Sequence, residues 1–452
     1  MVIDWLWNVV WCLVLLLASP WLAYRRWIRS KRFGSWRQKL LGQVPCRQGS
    51  RRCLWFHAVS VGEVIQLSCL LDELRRREPD LEIAISTTTT TGYEVALQRF
   101  PGCLIFFWPL DFSWAVSQAL RRIRPDLVVL VELELWPNFL RIAERQGIPV
   151  ALINGRITER SFRGYQRLGP VAVGMLSRIT WFAVQNPLYA DRFRQLGAPE
   201  DRLQITGSIK FDGVSTDRKS ATVDVFRHRL GLSDEAQVFV AGSTHATEER
   251  LALDTWLAVR SEFPGLHLIL VPRHAERFEE VAALVGQEYR LPLLKRSRLA
   301  SAEPTGAGTV ALPEAVILWD TLGELSRVWG LASVAFVGGS LVPRGGQSMI
   351  EPSGFGVPVI TGPQTWNFAD VVTQLKQVQG IQTVTSGSEL TSVVQHLLRN
   401  PEEARCQGDR AQALIVSSQG ATRAIASGLL ARCGRGCSFG ERSETHREVR
   451  AA

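Results

Sequence analysis

From residue 53 onward, short apolar runs alternate with longer amphipathic segments. "EIAIST" (82–87), "LIFFW" (104–108), "LVVLVELEL" (127–135), "PVALIN" (149–154) and "WFAVQN" (181–186) read as strands. "LSCLLDELRRRE" (67–78) and "NFLRIAERQG" (138–147) lie among them with helical spacing. "LWFHAVSVGEVIQL" (54–67) predicts a strand over 54–58, a short turn, and a helix opening near Glu63. The pattern breaks at 213–222, "GVSTDRKSAT", and then resumes with "QVFVAGST" (237–244), "LHLILVPR" (266–273), "AVILWD" (315–320), "VAFVGGS" (334–340) and "VPVITG" (357–362). This βαβ rhythm predicts an α/β protein of two Rossmann-like domains with parallel, doubly wound sheets. The expected boundaries are 41–212, a linker at 213–222, and 223–433, followed by a polar tail at 434–452 expected to be disordered. Ligands of such a pair are expected at the carboxyl ends of the strands, in the cleft between the halves.

The first 40 residues have a different pattern. Trp5 to Tyr24 carries no charge, has the length of a bilayer-spanning helix, and has tryptophans near both ends. A basic run follows: Arg25, Arg26, Arg29, Lys31, Arg32, Arg37 and Lys39. No acid occurs between Asp4 and Glu63. Because the positive charge comes after the apolar stretch, the pattern fits an uncleaved signal-anchor better than a cleaved signal peptide. The positive-inside rule then puts the rest of the chain in the cytoplasm, with the basic strip against anionic lipid. Asn8 and Pro20 make the span imperfect.

The net charge of +9 adds the expectation of an anionic partner: lipid headgroups, a phosphorylated substrate or nucleic acid. The eight cysteines form no C-x-x-C pair, which argues against a zinc site or a disulfide framework.

Candidate chemistry sits at the strand ends. A phosphate-binding turn after the first strand would be rich in glycine, but here a single Gly62 is followed by Glu63. Glu63 is either a helix N-terminal glutamate or a base whose pKa the helix N-terminus lowers, keeping it ionised. In "VELELWP" (131–137), strand alternation puts Glu132 and Glu134 on one face, either paired to arginines or open to the cleft. "NGRITERSFRGYQRLG" (154–169) offers Arg156, Arg160, Arg163 and Arg167, as an anion-binding loop or as a solvated basic face. "GSIKFD" puts Lys210 just before the linker. In the second half, "VPRH" ends a strand with Arg273, which either holds a phosphate or is solvated. In "VGGSLVPRGGQSMIEP" (337–352), four glycines precede a helix beginning around Ser348. Glu351 there either accepts ribose hydroxyls or caps the helix.

Taken together, "HAVSVGE", "VELELWPN", "NGRITERSFRGY", "GSIKFD", "STH" with the acids that follow it (243–249), "LILVPRHAERF", "DTLGEL" and "AFVGGSLVPRGGQSMIEP" resemble the 3-deoxy-D-manno-octulosonic acid (Kdo) transferases. The resemblance runs in order from the N-terminal stretch to about residue 425. It implies a GT-B glycosyltransferase with an N-terminal membrane-anchor helix, an acceptor domain and a C-terminal donor domain. It implies inverting, metal-independent transfer of Kdo from CMP-Kdo to a lipid A precursor, with no cofactor and no nucleic acid. By the same resemblance Glu63 is the general base, and Glu132 and Lys210 stabilise the transition state. Pro272, Arg273, Leu322, Gly323, Glu324, Ser348, Met349, Ile350 and Glu351 contact CMP. Arg156, Arg160 and Arg163 suit a phosphorylated acceptor. The implied location is the bacterial inner membrane, with a single anchor and cytoplasmic catalytic domains. The sequence departs from the family pattern at "GGQSMIE", where Gln347, Ser348 and Met349 stand for His, Asn and Pro.

Two other readings compete. One is a different nucleotide-sugar enzyme of the same architecture, such as another glycosyltransferase or a non-hydrolysing epimerase, which would need neither anchor nor basic strip. The other is a non-catalytic membrane scaffold. It is disfavoured because Glu63, Lys210, Arg273 and Glu351 are all present.

Overall fold

The computed structural model describes residues 7–13, 16, 17, 19, 35–299 and 312–433. It divides into two compact units, one of residues 1–212 with 419–452 and the other of 213–418.

The first unit is built on a parallel sheet of β1 (Cys53–His57), β2 (Glu82–Thr87), β3 (Leu104–Phe107), β4 (Leu127–Val131), β5 (Val150–Gly155), β6 (Trp181–Val184) and β7 (Leu203–Ile205), in the order β3-β2-β1-β4-β5-β6-β7. Strands β1, β4 and β5 are buried along their whole length, since helices cover both faces. One face packs Trp55, Phe106, Phe139 and Phe182, and the other packs Leu54, Phe56, Val129 and Trp181. The strand order reverses between β1 and β4. Chains leaving those two strands therefore diverge and open a crevice at their carboxyl ends.

The second unit repeats the plan with β8 (Val238–Thr244), β9 (His267–Pro272), β10 (Leu293–Lys295), β11 (Val316–Leu318), β12 (Val334–Val337), β13 (Val359–Thr361) and β14 (Ile381–Thr383). Its order is β10-β11-β9-β8-β12-β13-β14, and the reversal falls between β8 and β12. The two parallel α/β units were legible from the alternation. Strands β7, β10 and β14 were not, because each is a short, partly exposed edge strand without a full apolar run.

Three expectations need correction. First, β4 stops at Val131, because Glu132 takes a left-handed conformation at φ 62°. The alternation argument that paired Glu132 with Glu134 on one strand face therefore does not apply. Second, the second domain does not run to 433. The helix Ala421–Cys433 returns to the first unit, where Ile425, Ala426 and Leu429 join the core beside Leu54 and Trp181. Asp212 accepts from the backbone N–H groups of Gly420 and Thr422 as this helix begins. Gly428 faces Trp181 so closely that a Cβ there would lie 2.3 Å from the ring. Third, 213–222 belongs to the second unit: Arg218 donates to the carbonyls of Gly330 and Ala332.

Of the expected anchor, residues 7–13 are helical. Apart from 16, 17 and 19, the rest of Trp5–Tyr24 lies outside the described residues, as do Arg25 to Arg32 and the tail 434–452. Among the described residues no helix is long and apolar enough to cross a membrane. Asn8 has a specific place in the fold. Its side chain donates to Ser113 Oγ (2.8 Å) and accepts from the Ser113 N–H (2.9 Å) and from Asn138 Nδ2 (3.3 Å). Trp11 donates to Asp111.

Candidate functional site

In the first unit the candidate residues collect at the β1/β4 reversal. The helix Val61–Arg77 begins one turn after β1, with Ser60 as its N-cap. Ser60 Oγ donates to Glu63 Oε1 (2.8 Å) and accepts from the Glu63 N–H (3.4 Å), and the Val59 N–H donates to Glu63 Oε2 (2.8 Å). This is a capping box, legible in the sequence as S-x-x-E. The helix end thus fixes the carboxylate in place instead of leaving its N–H groups for a phosphate.

The electrostatics of Glu63 differ from expectation. Burial pushes its pKa up from the ordinary glutamate value. The hydrogen bonds from Ser60 and Val59 oppose that rise, and the Glu132 charge adds to it. Desolvation outweighs the helix terminus, because the carboxylate loses more water than its donors replace.

Glu132 and Lys210 come together: Lys210 Nζ lies 3.6 Å from Glu132 Oε1. Asn154, itself left-handed at φ 52°, builds the seat for Lys210. Its side-chain oxygen accepts from Ser208 Oγ (3.1 Å) and the Ile209 N–H (3.3 Å), while its nitrogen donates to Gln66 (3.2 Å) on the Glu63 helix. Strained residues at strand ends are characteristic of functional sites. Nothing in the sequence pattern distinguished Asn154.

Glu134 completes an acidic group. Burial first, then the Glu63 charge, pushes its pKa up to about 7, against a hydrogen bond from Trp136 (3.1 Å). Its carboxyl faces His57 Nε2 at 4.0 Å. His57 is fully buried and stacks on Trp108 at 3.8 Å, and burial pulls its pKa down to about 3, so it is neutral. Its Nδ1 lies 3.2 Å from the Ser86 carbonyl and 3.1 Å from Ser86 Oγ. Tyr165 closes this side. Burial and the Glu134 charge push its pKa up to about 12.

The arginines separate. Arg160 and Arg163 are exposed, and Arg163 pairs with Glu159 at 3.0 Å. Arg156 is half-buried at the end of β5.

In the second unit, Pro272 ends β9 and the exposed Arg273 follows, donating to Gln347 Oε1 at 3.0 Å. Gln347, one of the departures from the family pattern, thus holds the arginine. Leu322 is exposed, and Gly323 turns at φ 83° with open space around it. Glu324 accepts from Trp319 (2.9 Å), Arg296 (3.0 Å) and Thr321 (2.5 Å). Burial would raise its pKa, but these donors and the Arg296 charge lower it. The helix expected near Ser348 spans Ile350–Gly354. Ser348 donates to Glu351, whose pKa burial pushes up. Met349 and Ile350 are buried.

Sequence reading passed over Glu248. Its buried carboxylate accepts from the N–H groups of His245 (2.9 Å), Gly339 (2.7 Å), Ser340 (3.0 Å) and Leu341 (3.0 Å). It therefore fills the nest of N–H groups after β12 and fixes the glycine loop. Neighbouring Glu249 binds Arg277 at 2.6 Å.

Residues 29–213 match the family described as 3-Deoxy-D-manno-octulosonic-acid transferase (kdotransferase). The chain is 32% identical over 430 residues to the 3-deoxy-D-manno-octulosonic acid transferase of Haemophilus influenzae, covering 93% of this chain and 97% of that protein. It is 30% identical over 392 residues to the transferase of the same name from Chlamydophila psittaci, covering 86% of this chain and 87% of that one. Among solved structures, UDP-GlcNAc 2-epimerase from Neisseria meningitidis superimposes with a TM-score of 0.54 over 84% of this chain and 100% of that one. At 14% identity, that likeness is one of fold alone, a two-domain parallel α/β architecture of GT-B type.

Proposed function

The chain belongs to the Kdo transferase family and is a glycosyltransferase, and from that premise we propose that it carries Kdo from CMP-Kdo to a sugar hydroxyl of a lipid A precursor in lipopolysaccharide biosynthesis, with inversion and without a metal ion. One observation carries the mechanism. Glu63 is clamped by Ser60 and Val59 in a group that also contains Glu132, Lys210 and Glu134.

In this reading Glu63 takes the proton of the acceptor hydroxyl as its oxygen attacks the anomeric carbon of Kdo. The bond from that carbon to the CMP phosphate oxygen breaks, and its electron pair leaves with CMP. Burial suits Glu63 to the task, since a base is most effective when its pKa approaches the working pH. Lys210, oriented by Glu132, offsets negative charge that develops in the transition state. Pro272, Arg273, the turn Leu322–Glu324 and Ser348–Glu351 bind CMP, with Arg273 offering side-chain donors. Arg156, Arg160 and Arg163 take the acceptor's phosphates.

The same reading places the enzyme at a bacterial inner membrane, attached through its N-terminus, with its catalytic units on the cytoplasmic side. The uncharged stretch Trp5–Tyr24 and the basic run after it support this, as does the exposure of Leu16 and Leu17.

The test is a mass-spectrometric transfer assay. Detergent-solubilised enzyme is mixed with freshly generated CMP-Kdo and a tetra-acylated lipid A precursor, with and without chelator. A Kdo mass gain on the lipid, undiminished by chelator, is expected. CMP-Kdo left intact beside an unchanged lipid would refute the donor–acceptor pair, and loss of transfer with chelator would refute metal independence.

A further inference from the structure

The segment "STHATEE" (243–249) remains without a role in this mechanism, yet it occupies the β8/β12 reversal of the second unit. Two of its residues, Ser243 at φ 54° and Thr247 at φ 81°, are non-glycine residues in the left-handed region. Such residues are strained and persist only where surrounding structure holds them. Glu248 anchors this segment, binding the His245 N–H and three N–H groups of the glycine loop with one carboxylate.

His245 stands between these constraints. Its ring meets His274 edge to face at 5.3 Å. Its Cδ2 lies 3.3 Å from where a Cβ on Gly339 would sit, so the absence of a side chain there makes room for the imidazole. Its Nε2 is buried and has no hydrogen-bond partner among the described residues. The side chains of His274, Arg344, Arg277 and Arg273 lie near it. Burial first, then their charges, pull its pKa down to about 4, so the ring is neutral and keeps one N–H to give. Arg277 is taken by Glu249 and Glu280, whereas Arg273 and Arg344 are exposed. A buried polar nitrogen without a partner is costly, and a surplus of positive charge beside it indicates what would relieve the cost.

We propose that His245 is a donor-site residue, giving a hydrogen bond from Nε2 to an anionic oxygen of the bound nucleotide sugar in the loops after β8 and β12, with Arg273 beside it. This rests on reading the second unit as the donor site. The shared chemistry is a charged oxygen, which the donor carries on its nucleotide phosphate and on its sugar carboxylate.

Titration calorimetry of the full-length enzyme with CMP, together with donor kinetics, tests this on His245→Ala and His245→Gln. Glutamine places an N–H near the position of Nε2. If the oxygen is the phosphate, His245→Ala weakens CMP about tenfold or more and His245→Gln restores most of it. If it is the carboxylate, CMP affinity is unchanged, while the KM for CMP-Kdo rises by a similar factor in His245→Ala and recovers in His245→Gln. Unchanged CMP affinity and unchanged KM in His245→Ala would overturn the proposal. So would an equal loss in both variants, because a purely structural role does not depend on that N–H. If the wild-type enzyme transferred Kdo but bound no CMP at any arginine- or histidine-dependent site, the donor-site reading itself would fall.

Discussion

Lys210 Nζ stands 3.6 Å from the carboxylate of Glu132, and both side chains are about three-quarters buried, at 24% and 25% exposure. Glu132 follows β4, while Lys210 lies in the segment after β7 that Asn154, at the end of β5, holds through Ser208 and Ile209. Half-open ion pairs add little to stability. The value of this one lies in aiming a cation. Lys210→Ala should lower kcat about 10²- to 10³-fold, the usual loss when one electrostatic stabiliser is removed, with little change in melting temperature. Steady-state kinetics beside a thermal melt would check this. A large drop in stability with kcat preserved would mean that the pair is structural.

Glu63→Gln is the cleanest probe of the base. Glutamine also serves at this position of a capping box, so the helix Val61–Arg77 keeps its start. Turnover should fall about 10²- to 10⁴-fold while CMP-Kdo affinity stays at the wild-type value. A variant that retained most of its turnover would remove Glu63 from the mechanism.

The acid limb of the pH–rate profile should lie above the range of an ordinary glutamate, because the ionised form of Glu63 is the base and burial raises its pKa. Activity is therefore present above that pKa and lost as pH falls through it. The Glu132 charge adds to that rise, so Glu132→Gln should move the limb to lower pH. Glu134 is coupled to Glu63. The sign for stability is the reverse. The folded state favours protonated Glu134, so that contribution is fully present below the ordinary glutamate pKa and lost as pH rises through about 7. A limb unmoved by Glu132→Gln would show that the Glu132 charge does not reach Glu63.

Gly428→Ala tests the return of the C-terminal helix. The added methyl would meet the buried Trp181 ring at 2.3 Å, and such overpacking costs about 1–3 kcal/mol. The melting temperature should drop while the KM for donor stays the same. An unchanged melt would mean that the helix is not packed there in solution.

Much of this was legible in the chain. Alternating apolar runs marked the long strands, since strands buried on both faces can hold little else. The S-x-x-E spacing of Ser60 and Glu63 carried the capping box, because a helix start is settled within four residues. Sequence also placed Glu132 and Arg273 at strand ends, Lys210 just before the linker and Glu351 at a helix start. It could not show that Glu132 breaks its strand, because a left-handed residue between apolar β4 and the following turn leaves no mark on periodicity. Nor could it separate the two glutamates of "THATEE", whose roles depend on partners far along the chain.

The sequence by itself therefore determined the local order: which segments are the long strands, that a helix opens near Glu63, and which polar residues lie near those elements. Propensity, period and capping act over a few residues, so they are written there. Tertiary structure alone decided the strand order, the return of Ala421–Cys433 to the first unit, and the raised pKa of Glu63. Each depends on contacts between distant residues and on the water they exclude. Helix-terminus reasoning predicted a lowered pKa for Glu63, and burial reversed it.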